Sequence, residues 1–342
     1  MTWFDESRLD DEQALASLDP VLRRLAESGA RVRREAGDAA DSVADRVDEA
    51  RERSRPRAVV AAGPDSRLLR AVLEQTCPVP FVAWTGPGLP GWAGPLDLVV
   101  LLAPQGSDVL AASAASEAVR RGCDVLVACP PASLVAEHAV GRDVLMLPTS
   151  TGDQLATAVV VLDFLASAGL GRPADADAVA GALDAVAVTC SPFRDLASNP
   201  AKEVAIGLAD ASPLVWGGSV LAARAARRLA EELRRTTGRA AVAADADQLL
   251  PLVEAARPRD VFADPFEGGG AASRPVLLVL DDGSTDAVVR EQSGRLRAAA
   301  AAHDVRVVTL TADTGSEVAR YASLVLEGRY AAAYLQLMEV PG

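Results

Sequence analysis

Histidine is nearly missing from this chain: His138 and His303 are the only two in 342 residues. That leaves little of the side-chain type best suited to proton transfer near neutral pH. Aromatic residues make up 4% of a sequence that is 50% hydrophobic, so the core must be built from Ala, Val and Leu, as suits helices packed on sheets better than an all-β fold. The four cysteines, Cys77, Cys123, Cys129 and Cys190, contain no CxxC pair and no metal-ligand spacing. Buried thiols in a reducing compartment are therefore expected, with no metal and no cofactor. There is no P-loop, no Rossmann GxGxxG and no serine-triad spacing. No apolar run reaches the roughly 18 residues of a membrane helix. The N-terminal MTWFDESRLDDEQ is acidic and lacks an apolar h-region, so no secretory signal is expected and a soluble, cytoplasmic protein without membrane attachment is. The net charge of −13 argues against non-specific binding to nucleic acid.

What is present is an alternation of apolar runs and amphipathic stretches, with a length that suggests about two domains. The most informative stretch runs from Pro213 to Val242. Leu214–Trp216 reads as a buried strand, Gly217-Gly218-Ser219 as a tight turn, and Leu221, Ala225, Leu229 and Leu233 as one face of a helix. A helix start after such a turn favours anions, through free N–H groups and the helix dipole. A comparable unit opens the first half: RAVVAAG (57–63) is a strand, and Ser66 begins a helix. Further strands are expected at 80–86, 96–102, 124–128 and 143–147, with helices at 109–121 and 154–168. Loops bearing hydroxyls and glycines follow three of these strands, at Gly63 and Ser66, at 105–108, and at Thr149-Ser150-Thr151. Alternating strands and helices imply parallel, doubly wound sheets, with ligands beyond the C-terminal strand ends.

Four segments are expected: an N-terminal helical segment over 1–56, a first α/β domain over 57–170, a helical connector over 171–210, and a second α/β domain over 211–342. Pro20 reads as the first turn of a helix after Asp19, and the mixed charges of 31–57 as a solvated helix lying over the body of the protein. Asn199 reads as the cap of a helix whose first residue is Pro200. The second domain continues with a strand at 239–243, a helix at 247–256, the short VFADPF (261–266), a strand at 275–280, a helix to about residue 302, a strand at 305–310 and a helix over 316–338.

Asn199-Pro200-Ala201-Lys202, the Val215–Ser219 strand and turn, the VLLVLDD strand and the ending SEVARYASLVLEGRYAAAYLQLME resemble the second half of the bifunctional phosphoglucose/phosphomannose isomerases. In element order the resemblance to double sugar-isomerase (SIS) proteins extends over residues 57–340. It implies an α/β fold of two SIS-type doubly wound parallel-sheet halves, a helical extension at the N-terminus, and a homodimer. It also implies a small phosphorylated sugar as ligand, held by Gly63, Ser66, Gly106, Ser107, Thr149, Ser150, Thr151, Gly217, Gly218 and Ser219.

The departures from that family concern chemistry. Where it has a Gly-Met-Gly-Gly-Ser loop, this chain has Ala62-Gly63-Pro64-Asp65-Ser66, and the carboxylate of Asp65 would repel a phosphate unless it turns away. Where it has a Ser/Thr-rich loop, the chain has Pro104-Gln105-Gly106-Ser107-Asp108. No arginine follows Pro148, no glutamate stands in the 234–239 turn, and no histidine follows the next strand. Glu231 and Glu232 read as solvent-facing, and Asp65 and Asp108 as ordinary loop carboxylates. Enediol isomerisation needs a base and a ring-opening acid–base pair, so no catalytic residue is assigned. Three functions remain open: a phosphosugar-binding protein with lost or weak isomerase activity, an active isomerase making fructose 6-phosphate, and a non-catalytic regulatory or structural partner.

Overall fold

The computed structural model describes residues 3–52, 54–63, 66–256 and 274–340. They form two compact units: Ser28–Gly181, and Met1–Glu27 together with Ala182–Gly342. The chain opens with strand β1 (Trp3–Phe4) and helix α1 (Glu12–Ala26), which belong with the later half of the sequence. Asp11 caps α1 by accepting the Ala14 N–H at 2.6 Å. Asp19 and Pro20 therefore lie inside this helix and do not begin one. The proline removes one N–H from the ladder, while Leu18, Leu22 and Leu25 still line a buried face.

Helix α2 (Ser28–Glu52) opens the first-sheet unit. It is followed by β2 (Val59–Ala62), α3 (Ser66–Leu73), β3 (Phe81–Trp84), β4 (Leu98–Leu102), α4 (Val109–Arg120), β5 (Asp124–Cys129), α5 (Leu134–His138), β6 (Val144–Pro148) and α6 (Gln154–Ser167). The five strands are all parallel, in the order β3-β2-β4-β5-β6. Alternate residues of the central strands, among them Val60, Val99, Leu101, Val125 and Val127, pack against the alanines of α4. Small side chains at 111, 112, 114, 115 and 118 let that helix approach the sheet closely. Helix α2 lies on α6 and on the end of β6.

Within α7 (Ala176–Thr189) the chain passes to the second-sheet unit. There follow α8 (Pro200–Leu208), β7 (Ala211–Gly217), α9 (Val220–Thr237), β8 (Val242–Ala243), α10 (Ala246–Glu254), β9 (Arg274–Asp281), α11 (Ala287–Ala302), β10 (Arg306–Thr311), α12 (Glu317–Met338) and β11 (Glu339–Val340). Asn199 caps α8 by accepting the N–H groups of Ala201 and Lys202, each at 3.1 Å, with Pro200 at the first helical position. The stretch 261–266 lies outside the described residues. Four described strands form a parallel sheet in the order β10-β9-β7-β8. Read from the other edge, β8-β7-β9-β10 repeats the winding of β3-β2-β4-β5: in both, the first strand sits between the second and the third. The halves are thus two copies of one α/β plan. Helix α12 is buried almost all round by α1, α8 and α9 of its own unit, as its lack of a polar stripe requires. Strands β1 and β11 form an antiparallel ribbon, Trp3 opposite Val340 and Phe4 opposite Glu339.

Candidate ligand loops and their carboxylates

In an open α/β sheet the ligand crevice lies beyond the strand ends where the winding reverses. That point falls between β2 and β4 in the first sheet and between β7 and β9 in the second. Both are flanked by the hydroxyl loops expected from the sequence.

At the first switch point, β2 ends at Gly63, whose φ of +93° lies in the region that favours glycine. Its N–H donates to the Trp84 carbonyl at 3.1 Å. Ser66 starts α3; it is buried, and its Oγ has no hydrogen-bond partner among the described residues. Pro64 and Asp65 lie outside the described residues. After β4, Gly106 takes a φ of +69°, and a Cβ there would collide with the Ser133 side chain. Its carbonyl accepts the Val135 N–H at 3.0 Å. Ser107 is exposed. Asp108 is the cap of α4, accepting the Ala111 N–H at 2.7 Å, so its carboxylate serves a helix end.

The loop after β6 already holds an anion. Thr149 donates its hydroxyl to the Pro104 carbonyl at 3.2 Å, tying this loop to the one after β4. Glu35 of α2 enters from above with 1% of its surface exposed. Its Oε2 accepts the N–H groups of Thr151 at 2.8 Å and Ser150 at 3.3 Å, and the Ser150 hydroxyl at 3.4 Å. Its Oε1 accepts the Thr157 hydroxyl at 3.3 Å. One turn earlier, Arg31 donates to Asp153 at 2.8 Å. Asp153 in turn caps α6. The helix expected to be solvated and to lie over the body of the protein is mostly exposed, and Ser28, Val32, Glu35 and Ala39 form the buried stripe by which it rests there. The visible signal was a charged residue sitting in register with a valine and an alanine at helical spacing.

At the second switch point the glycines serve packing. A Cβ on Gly217 would run into the backbone of Ala222, and one on Gly218 would meet a Val289 methyl. Ser219 caps α9, its Oγ accepting the Ala222 N–H at 3.0 Å while donating to the Asp282 carboxylate at the end of β9. A carboxylate is thus bonded to an expected ligand hydroxyl in each unit: Glu35 to Ser150 and Asp282 to Ser219.

Among the described residues, the glutamates and histidines weighed for proton transfer stand away from the ligand loops. Glu231 pairs with Arg228 at 3.2 Å, while Glu232, expected to face solvent, is half-buried and pairs with Arg235 at 3.6 Å and with Arg329 of α12 at 3.8 Å. His138 is exposed at the end of α5, in a shallow cleft with Glu117 and Arg120 of α4. His303 closes α11 as its C-cap. Lys202 of the Asn-Pro-Ala-Lys motif is buried: its Nζ donates to Asp10 at 2.7 Å and to the carbonyls of Arg194 and Pro192 at 3.0 and 3.3 Å. It lies 5.9 Å from the Tyr334 ring centroid. The Tyr334 hydroxyl donates to the Cys190 carbonyl at 2.7 Å. That motif is a structural tie between α8, α12 and the N-terminus. Burial pushes the Cys190 thiol up to about 12 and the Glu327 carboxyl up to about 7. Among the described residues no group of three or more His, Cys, Asp or Glu could hold a metal, and no helix is long and apolar enough to cross a membrane.

Residues 197–339 match the family model of the bacterial phospho-glucose isomerase C-terminal SIS domain. The chain has the SIS fold. Tagatose-6-phosphate ketose/aldose isomerase from Escherichia coli superimposes with a TM-score of 0.64 at 14% identity, over 92% of this chain and 93% of that one. The C-terminal domain of glucosamine-fructose-6-phosphate aminotransferase from Francisella tularensis gives 0.65 at 12% identity, over 93% and 95%. A glucose-6-phosphate isomerase like protein from Thermus thermophilus gives 0.50 at 17%, over 88% and 92%. No curated protein matches the chain in sequence. The SIS fold accounts for the two repeated sheets and for loops at their switch points.

Proposed function

We propose that this SIS-fold chain binds a sugar phosphate through its first sheet and does not isomerise it at an enzyme's rate. The observation that carries the reading is the Ser66 hydroxyl, buried without a partner among the described residues at the first switch point. A buried hydroxyl of that kind is costly unless a ligand or water satisfies it. Gly63, Gly106 and Ser107 complete the contact set on the same crevice, with Thr149, Ser150 and Thr151 beside it. The names of the structural relatives, which act on tagatose 6-phosphate or resemble a glucose-6-phosphate isomerase, support a hexose phosphate as the ligand class. Gly217, Gly218 and Ser219 are read as packing and capping groups, because Asp282 at Ser219 disfavours a second anion there. The proposal retains a homodimer. Since α12 buries its apolar surface within its own unit, a dimer would use other surfaces.

A thermal-shift panel of hexose 6-phosphates tests the reading. A ligand selective for the native state at ten times its Kd adds about 1.4 kcal/mol of stability. At least one hexose 6-phosphate is expected to raise the melting temperature more than inorganic phosphate at the same concentration and ionic strength. A panel in which no sugar phosphate exceeds inorganic phosphate would remove the reading.

A further inference from the structure

We propose that Glu35 is a built-in occupant of an anion recess after β6, so that helix α2 and a phosphate-bearing ligand compete for the same donors. The choice of ligand rests on the sugar-phosphate reading above; the competition does not. A carboxylate and a phosphate are recognised alike, by N–H and O–H groups converging on oxygens that share a negative charge. The recess supplies four such donors, the N–H groups of Ser150 and Thr151 and the hydroxyls of Ser150 and Thr157, and all four point at Glu35. Burying a carboxylate to this degree is unfavourable unless its donors compensate, which makes the recess a strong anion acceptor.

The helix that carries Glu35 packs on α6 and β6. The buried side chains of its described part are Ser28, Val32, Glu35 and Ala39, a small apolar area, supplemented by the Arg31–Asp153 ion pair. Most of its remaining side chains are exposed. Glu35 is the charged side chain of α2 that is buried outright, and its four donors make it one of the ties that dock the helix. An occupant tethered in this way acts at an effective concentration on the order of millimolar. Free phosphate must compete with this internal occupant, and a ligand that also gains contacts at Ser66 and Ser107 has the means to displace the helix.

The test uses the full chain and its Glu35→Ala and Glu35→Gln variants, with inorganic phosphate as probe and chloride at matched ionic strength as control. Calorimetry on Glu35→Ala is expected to show phosphate affinity raised by about tenfold or more over the parent, as expected when an internal competitor held at about ten times its own dissociation constant is removed. Hydrogen exchange on the parent is expected to show the amides of 30–48 exchanging faster when phosphate is saturating. Glu35→Gln keeps the size of the side chain and loses its charge, and should show fast exchange in that segment without phosphate. Equal phosphate affinity in parent and variants, including no binding in any of them, overturns the proposal. So does phosphate binding to the parent with unchanged exchange of α2. If Glu35→Ala binds phosphate more tightly but hexose phosphates no better than phosphate, the competition stands and the sugar reading falls. If hexose phosphates stabilise the parent while α2 stays protected, the reverse holds.

Discussion

Replacing Glu327 with glutamine is expected to change the pH dependence of folding by about 3 kcal/mol between pH 4 and pH 8. Glu327 lies on α12 with 9% of its surface exposed, and burial pushes its carboxyl from the ordinary 4.5 up to about 7. Below pH 4.5 the carboxyl is neutral in both folded and unfolded chains and adds no pH-dependent cost. Between 4.5 and 7 the unfolded chain gives up its proton while the folded chain keeps it, so the native state loses ground as pH rises. Above 7 both forms are ionised and the cost is complete. The gap between the two values corresponds to about 3 kcal/mol. Glutamine cannot ionise, so the stability of Glu327→Gln relative to the parent should rise by that amount from pH 4 to pH 8. Its pH-independent offset cancels in the comparison. Denaturant melts at the two pH values measure it, and parallel curves for parent and variant would show that Glu327 does not titrate in this window.

Lys202→Ala is expected to lose about 4 kcal/mol of stability. Removing a long buried aliphatic stem leaves a cavity comparable to a Met→Ala change, about 2–5 kcal/mol. The carbonyls of Pro192 and Arg194 also lose their donor. Asp10 is more than half exposed, so its carboxylate can return to water once the ammonium is gone. Lys202→Met, which keeps most of the stem, is expected to lose only about 1–2 kcal/mol, the share of the hydrogen bonds. Equal losses in the two variants would place the whole effect in the ammonium, and negligible loss in both would mean that the tie between α8, α12 and the N-terminus is weak.

The architecture was legible because its signals are local. Apolar runs such as 98–102 are covered on both faces and read directly as central strands. The caps Asn199, Ser219 and Asp153 mark helix starts within a residue or two. Pro20 misled because a proline at the start of a helix and one in its interior look alike in sequence. Strands β1 and β11 have two residues each, too few to show a period. The candidate site was half legible. Its hydroxyls and glycines lie on loops that follow strands, and those loops can be found from the strand pattern alone. Its carboxylates cannot: Glu35 reaches residues 150–157 across more than a hundred positions, and Asp282 reaches Ser219 across 63. Lys202 and Asp10 are separated by 192. Such pairings are set by how helices and strands pack in three dimensions, and no spacing along the chain encodes them.

The placement of other carboxylates and of the two histidines decides the expected chemistry. Moving a proton between adjacent sugar carbons needs a base beside the bound ligand, and the loss of one such group typically costs about two to four decades of rate. Among the described residues, Asp108 caps a helix, Glu231 and Glu232 are held in ion pairs on α9, and neither histidine stands on a ligand loop. A coupled assay for fructose 6-phosphate, run on the purified 342-residue chain with glucose 6-phosphate and mannose 6-phosphate, tests this most directly. The account predicts no more than trace conversion of either sugar; turnover of about 1 s⁻¹ or more, the low end of ordinary enzymes, would contradict it.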